Sequence, residues 1–325
     1  MAGVLSSTIT DRYALYCGDS MDVSATLADE SIHASIYSPP FAGLYVYSSS
    51  DRDVSNARTY DEFRTHYGMF VAEVYRLTKP GRLTAVHAAP IPSSNTGRDC
   101  LFDFPGDVIR LHEEQGWDWV GRHVIWKEPL AVRLRTMQKN LAHKTICDDA
   151  AAGGVASADE LLIFRKPGAA EPVAHPTGLD YYAGSESVPS ELQRYRNWTG
   201  DQTGNRYSQW IWRRYASSVW DDIRLNHVLP FRDSRDPDDE KHVHPLQLDV
   251  IARFVQLRTR PGEVVWTPFM GVGSEVYESV RLGRRGIGCE LKPSYYEQAV
   301  RNLEAVDTDV PVEDEPLFDL TEFGA

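Results

Sequence analysis

Two short stretches of this chain hold residues whose types could do chemistry together. The first is Ser38-Pro39-Pro40-Phe41, which follows the apolar run IHASIY and is followed in turn by Tyr45 and Tyr47. Neither proline can continue a strand or a helix interior, because each lacks an N–H and fixes φ. The turn they impose is rigid, and it leaves the Ser38 hydroxyl and the Pro39 carbonyl as acceptors at the end of a strand. Acceptors placed so can take both N–H bonds of an amine. An aromatic amine needs that help, since its lone pair is delocalised into the ring, and two acceptors would localise the pair and aim it at an electrophile. Phe41 could stack on the ring that carries the amine. Taken alone, Ser-Pro-Pro reads more readily as a surface turn.

The second stretch raises it above that. The run VVWTPF leads into Phe269-Met270-Gly271-Val272-Gly273-Ser274 and then a helical pattern. A strand, a Gly-x-Gly turn and a helix let backbone approach a ligand closely. Seventeen residues beyond Gly273, a further strand pattern ends on Glu290. An acid at about that distance can accept hydrogen bonds from ribose hydroxyls. There is no third glycine of G-x-G-x-x-G and no Gly-Lys-Ser/Thr, so a dinucleotide or a nucleoside triphosphate fits less well than S-adenosyl-L-methionine, which has no phosphate to cradle.

With SPPF and FMGVG both present, the chain resembles the DNA methyltransferases that modify the exocyclic amino group of cytosine or adenine. Their signatures are [D/N/S]-P-P-[Y/F/W] for catalysis and F-x-G-x-G for the cofactor. The catalytic motif comes first here, as in the permuted beta class, and the surroundings of SPPF most resemble methylases of phages and prophages. The resemblance spans roughly residues 11 to 305, apart from a variable region. It implies that Ser38, Pro39, Pro40 and Phe41 are catalytic, and that the cofactor is S-adenosyl-L-methionine. It further implies that Asp19, Lys241, His244, Thr267, Pro268, Phe269, Gly271, Gly273, Ser274 and Glu290 bind that cofactor. Thr267 stands where an acid usually begins the cofactor motif, and Glu275 where Thr is common. His242 and His244 could be taken for a metal pair, but no further ligand of suitable spacing accompanies them and no metal is expected. Serine at the head of the catalytic motif leans the target towards cytosine N4 over adenine N6.

The elements that must position these residues can be read from periodicity. RYALYCGD and SIHASIY read as strands. Thr59 to Glu62 fits a capping box, with Phe63, Tyr67, Phe70, Val71, Val74 and Leu77 at helical spacing behind it and Lys79-Pro80-Gly81 as the stop. RLTAVHA, WVGRHVIWK and ELLIFRK read as strands and FPGDVIRLHEEQG as a helix. After an irregular stretch, Pro245 to Leu257 is helical, GEVVWTPF a strand, Ser274 to Leu282 a helix, RRGIGCE a strand, and Pro293 opens a last helix. Strands alternating with helices imply an α/β fold with a largely parallel, doubly wound, Rossmann-like sheet. The expected divisions are a catalytic half at 1–166, an inserted target-recognition region at 167–240, a cofactor half at 241–306, and an acidic flexible tail at 307–325.

Composition sets the outer bounds. The chain has 325 residues, with 42% hydrophobic and 25% charged residues, enough for one large α/β domain and a smaller insert. No run approaches a membrane span, and no secretory signal is visible at the N-terminus. Cys17, Cys100, Cys147 and Cys289 are scattered, which reads as reduced cysteines in a cytoplasmic protein. The net charge of −13 argues mildly against nucleic acid. Its distribution argues the other way: the segment Arg122 to Cys147 is basic, and the aromatic stretch Tyr181 to Trp220 is interleaved with arginines. Arg133, Arg135, Lys139 and Lys144 are expected on phosphate, and Arg194, Arg196, Arg213 and Arg214 in the recognition region. The expected partner is double-stranded DNA, with a homodimer as an option. Pro316-Leu317-Phe318-Asp319-Leu320 in the tail offers a weak match to a clamp-type partner. Two other readings stay open: an RNA or protein amide methyltransferase, and a DNA-binding regulator without catalysis.

Overall fold

In the computed structural model, residues 3–40, 59–92, 100–136, 138–231, 234 and 245–306 are described. Phe41, Tyr45, Tyr47, Lys241, His242, His244 and the tail at 307–325 lie outside them, as do the side chains of Arg135 and Lys139. The chain opens with β1 (Val4–Ile9), β2 (Tyr13–Gly18), the short α1 (Ser20–Ser24) and β3 (Ile32–Tyr37). Then come α2 (Tyr60–Leu77), β4 (Thr78–Ala88), the two-residue β5 (Ile91–Pro92) and β6 (Leu101–Phe102), α3 (Phe104–Glu114) and β7 (Asp118–Ile125). The basic stretch folds as α4 (Pro129–Thr136) and α5 (His143–Asp148), ahead of β8 (Asp159–Arg165). After α6 (Arg206–Tyr215) and β9 (Val219–Trp220), the last part holds α7 (Leu248–Arg258), β10 (Val264–Thr267), α8 (Ser274–Arg281), β11 (Arg285–Glu290) and α9 (Pro293–Ala305).

The predicted start of α2 is present in detail. Thr59 is the N-cap and its hydroxyl accepts from the Glu62 N–H at 3.1 Å. The helix ends at Leu77, and Lys79-Pro80-Gly81 already belongs to β4. The expected helix from Pro245 begins only at Leu248. The edge strand β1 and the helices α4 and α5 were not legible in the sequence.

Nine strands form one sheet in the order β1-β2-β11-β10-β3-β4-β8-β7-β9. Its centre, β2-β11-β10-β3-β4, is parallel throughout. β8 runs antiparallel to both β4 and β7, β1 runs antiparallel to β2, and β9 joins β7 in parallel. Helices cover both faces, as an α/β sheet of this kind requires. Alternate residues of β8 show the division: Leu161 and Ile163 pack with α7, α8 and α9, while Leu162 and Phe164 pack with α2 and α3. From β3 the chain moves on to β4, and from β10 to β11, in opposite directions across the sheet. The carboxyl ends of β3 and β10 therefore flank the switch point where ligands of doubly wound sheets bind.

The aromatic stretch before α7 turns out to be largely core. Leu179, Ala183, Tyr207, Ile211 and Tyr215 pack on Ala252 of α7, and β9 carries the buried Trp220 into the sheet. The guanidinium of Arg253, fully buried, donates to the Ala183 carbonyl at 2.9 Å and to Asp222 at 2.7 Å. It lies 5.0–5.7 Å from the rings of Tyr182, Tyr215 and Trp220. Burial of a charge is tolerable only when it is paired in this way. Trp198 and Trp212 remain exposed.

Candidate active site

The Ser-Pro-Pro turn leaves the sheet at the carboxyl end of β3. Register sets its neighbours: Tyr37 is paired with Val86 of β4, so Ser38 comes to lie beside His87. Ser38 Oγ is 3.0 Å from His87 Nδ1, and His87 Nε2 is 3.0 Å from Asp159 Oδ2 at the start of β8. Lys127, two residues past β7, closes the row with Nζ 2.8 Å from the same Asp159 oxygen. The side chains of His87, Asp159 and Lys127 are only 12, 3 and 8% exposed. Sequence reasoning missed His87 and Asp159 altogether and met Lys127 only as one cation of a basic run.

Beneath the turn, Tyr37 is fully buried, and burial holds its phenol well above the usual range. Its ring meets Phe70 edge-on at 5.6 Å and Phe269 at 6.0 Å, and Phe70 and Phe269 are 4.9 Å apart. Phe269 belongs to the glycine turn after β10. The two stretches singled out by their chemistry thus share one aromatic contact at the switch point.

In the glycine turn, Gly271 and Gly273 have φ of 51° and 90°. L-residues pay to enter that region. The two glycines differ in what surrounds them. A Cβ on Gly273 would stand 3.0 Å from Leu303 and 3.1 Å from Ala299, so this glycine lets α9 pack closely. A Cβ on Gly271 would meet nothing within 4 Å. Gly271 therefore presents bare backbone to open space. Its N–H donates to Glu290 Oε2 at 2.9 Å, and the N–H of Lys292 donates to Oε1 at 2.8 Å. Glu290 thus ties the glycine turn to the end of β11. Register places Glu290 opposite Cys17 of β2, two residues before Asp19, which caps α1 by accepting from Met21 at 2.8 Å.

These residues fit a nucleoside cofactor with a cationic sulfur. Two carboxylates stand at the ends of neighbouring parallel strands, beside an open backbone surface. The hydroxyls of Thr267 and Ser274, both about 1% exposed at either end of the turn, have no protein partner. Glu275, in the first turn of α8, is also buried. Burial pushes its carboxyl up to about 8, and the nearby Glu290 adds to the effect.

The comparisons with known proteins agree with this geometry. The model of the N6/N4 DNA methylase family matches residues 32–301. The chain belongs to this DNA methylase family. Among curated relatives, the type II methyltransferase M.BglII of Bacillus subtilis is 27% identical over 118 residues, covering 36% of this chain and 30% of the relative. The type II methyltransferase M1.MboII of Moraxella bovis is 34% identical over 58 residues, covering 18% and 22%. The chain thus spans less than a third of the length of these relatives. Among solved structures, the DNA modification methylase TTHA0409 of Thermus thermophilus, complexed with S-adenosyl-L-methionine, has a TM-score of 0.58 at 19% identity, covering 92% of this chain and 97% of that one. The cytosine-N4-specific PvuII DNA methyltransferase has a TM-score of 0.56 at 15% identity, covering 92% and 91%. At these identities the likeness is one of fold.

The cations expected on DNA fall into different situations. Lys144 on α5 and Arg194, Arg196 and Arg213 are exposed, and Arg133 on α4 is half-buried. The Arg194 guanidinium lies 4.9 Å from the ring centre of Tyr195 and donates to its hydroxyl at 3.0 Å. Arg214 is instead paired with Glu186 and lies over Trp210, within the packing of its own segment. Among the described residues, no helix is long and apolar enough to cross a membrane, and all four cysteines are free.

Proposed function

We propose that this methylase is an S-adenosyl-L-methionine-dependent DNA methyltransferase acting on an exocyclic amino group of a flipped base, with cytosine N4 favoured over adenine N6. One observation carries the reading. The Ser-Pro-Pro turn and the glycine turn close the neighbouring parallel strands β3 and β10, so the amine acceptors and the cofactor surface stand side by side. S-adenosyl-L-methionine, when bound, supplies a methyl group made electrophilic by its sulfonium. Glu290 and Asp19 have the chemistry to accept from the hydroxyl and amino groups of its nucleoside, the Gly271 backbone lets it approach, and Thr267 and Ser274 offer hydroxyls still in need of partners. Ser38 Oγ and the Pro39 carbonyl accept the amine hydrogens and turn its lone pair towards the methyl. Phe41 stacks on the base. A base must leave the duplex to reach this depth, which costs a few kcal/mol and is partly offset by that stacking. Ser38, in place of Asp or Asn, supports the lean to cytosine N4. The exposed Lys144, with Arg133, suits the phosphates of double-stranded DNA, and the exposed Arg194, Arg196 and Arg213 suit base recognition.

Nuclease digestion of DNA exposed to the protein and S-adenosyl-L-methionine, followed by mass spectrometry, tests the reading. N4-methylcytosine is expected. N6-methyladenine would overturn the choice of base and keep the reaction class. C5-methylcytosine would defeat the mechanism, which contains no cysteine nucleophile in a Pro-Cys turn.

A further inference from the structure

The row from Ser38 to Lys127 has a chemical problem to solve. Methylation leaves the amine with one hydrogen too many. As the carbon–nitrogen bond forms and the donor's sulfur–carbon bond breaks, with sulfur keeping the electron pair, the nitrogen must shed a proton. A neutral serine hydroxyl can accept a hydrogen bond from the amine, but it is no base. It can pass a proton on only if its own hydrogen has somewhere to go.

We propose that His87 is that destination. In its neutral form, with the hydrogen on Nε2, it donates to Asp159 and leaves the Nδ1 lone pair facing Ser38 Oγ at 3.0 Å. This tautomer alone satisfies both contacts, because a carboxylate only accepts. The Ser38 hydroxyl then donates to Nδ1, and its oxygen lone pairs turn outward to the amine. During transfer one amine proton moves to Ser38 Oγ and the Ser38 proton moves to Nδ1. The products are the secondary amine, an intact serine and an imidazolium held by Asp159. Facing His87 are Ser38 from the end of β3, Asp159 from β8 and, across Asp159, Lys127 just past β7. The Asp159–Lys127 pair at 2.8 Å is neutral overall and almost fully buried. It lets Asp159 remain a carboxylate despite its burial, aimed at Nε2, which holds the ring in the tautomer that leaves Nδ1 facing Ser38. Histidine suits the task because a neutral imidazole nitrogen with a free lone pair is a base, as a hydroxyl or an amide is not.

This inference rests on the amino-methylation reading above. His87→Gln can reach Asp159 but puts nothing at the Nδ1 position, whereas His87→Asn places an amide oxygen there and cannot bridge to Asp159. Single-turnover methylation at saturating DNA and cofactor should fall by about 10²-fold in H87Q, comparable to loss of one aligned transition-state hydrogen bond. H87N should be about as slow, because its amide oxygen can accept the Ser38 hydrogen bond but cannot take up the proton, and it should lack the fall in rate on the acid side that is expected of the wild-type enzyme. The double variant S38A/H87Q should be no slower than S38A, because both changes break one pathway. Calorimetric binding of S-adenosyl-L-methionine reports whether each variant is folded, and H87N carries the test through its pH profile if H87Q is not. A wild-type rate in H87Q or H87N, a multiplicative loss in the double variant, or an unchanged acid limb in H87N would overturn the role of His87. A wild-type protein that modifies no DNA would instead overturn the underlying reading.

Discussion

Glu275 offers a stability measurement with a definite sign. It sits in the first turn of α8, 4% exposed. Burial pushes its carboxyl up to about 8 from an ordinary 4.5, and the charge of Glu290 contributes in the same direction. The group is therefore neutral in the folded protein at pH 7 and ionised in the unfolded chain. Between pH 4.5 and 8 folding takes up a proton. Stability linked to this group is fully present below pH 4.5, is lost as pH rises through that window, and is flat above 8. A shift of 3.5 units, from 4.5 to about 8, at 1.36 kcal/mol per unit sets a ceiling of about 5 kcal/mol. Glu275→Gln keeps the shape and has no charge to lose. Its advantage over the wild type should be near zero at about pH 4.5 and grow to about 2–5 kcal/mol at about pH 8.5. Urea unfolding of both proteins across that range measures the difference. An advantage that does not vary with pH, or one that shrinks as pH rises, would refute the placement of a buried neutral carboxyl beside the glycine turn.

The two glycines of that turn should separate stability from binding. Gly273→Ala should cost about 2–4 kcal/mol by chemical denaturation, from its φ and from overpacking on α9, whereas Gly271→Ala should cost only about 1–2 kcal/mol of stability and act mainly on S-adenosyl-L-methionine affinity, read by calorimetry. Glu290→Ala should weaken that affinity by about 1–3 kcal/mol through loss of charged acceptors, and an unchanged affinity would remove Glu290 from the site. Neutralising Arg133, Arg135, Lys139 and Lys144 together should flatten the salt dependence of DNA binding by about one unit of log–log slope for each lost phosphate contact, and an unchanged slope would place the duplex elsewhere.

The parts of the site that could be read in the sequence are those whose residue type is forced by the local backbone. Proline at 39 and 40 announces a turn because it removes N–H groups, and glycine at 271 and 273 announces one because the chain takes positive φ there. Neither signal needs knowledge of the sheet. The core of the aromatic stretch was less legible for a related reason. Composition records that Tyr207, Ile211 and Tyr215 are large and apolar, but only their spacing of four, on one face of α6, tells that they are core while Trp212, about 100° further round the helix, is exposed. The arginines between the aromatics break up the apolar pattern that this spacing would otherwise show.

His87 is a different case. Its contacts to Ser38 and Asp159 span 49 and 72 residues of sequence, and they arise from two registers: β3 against β4, and β4 against the reversed strand β8. Had β8 run parallel to β4 like the strands at the sheet's centre, its first residue would lie at the amino end of β4, the far edge from Ser38. The reversal alone brings Asp159 to the edge where the Ser-Pro-Pro turn leaves the sheet. A histidine in an apolar strand is ordinarily a satisfied core residue. His112, on α3, is a satisfied core histidine, stacked on Phe164 at 4.0 Å and held neutral by burial, which lowers its imidazole to about 3. What separates His87 from His112 is place in the fold: one lies on β4 at the carboxyl edge beside an acceptor turn, the other on a helix packed against the face of the sheet. An antiparallel strand inside a parallel sheet is thus the feature that turns an unremarked histidine into one placed to serve the reacting amine.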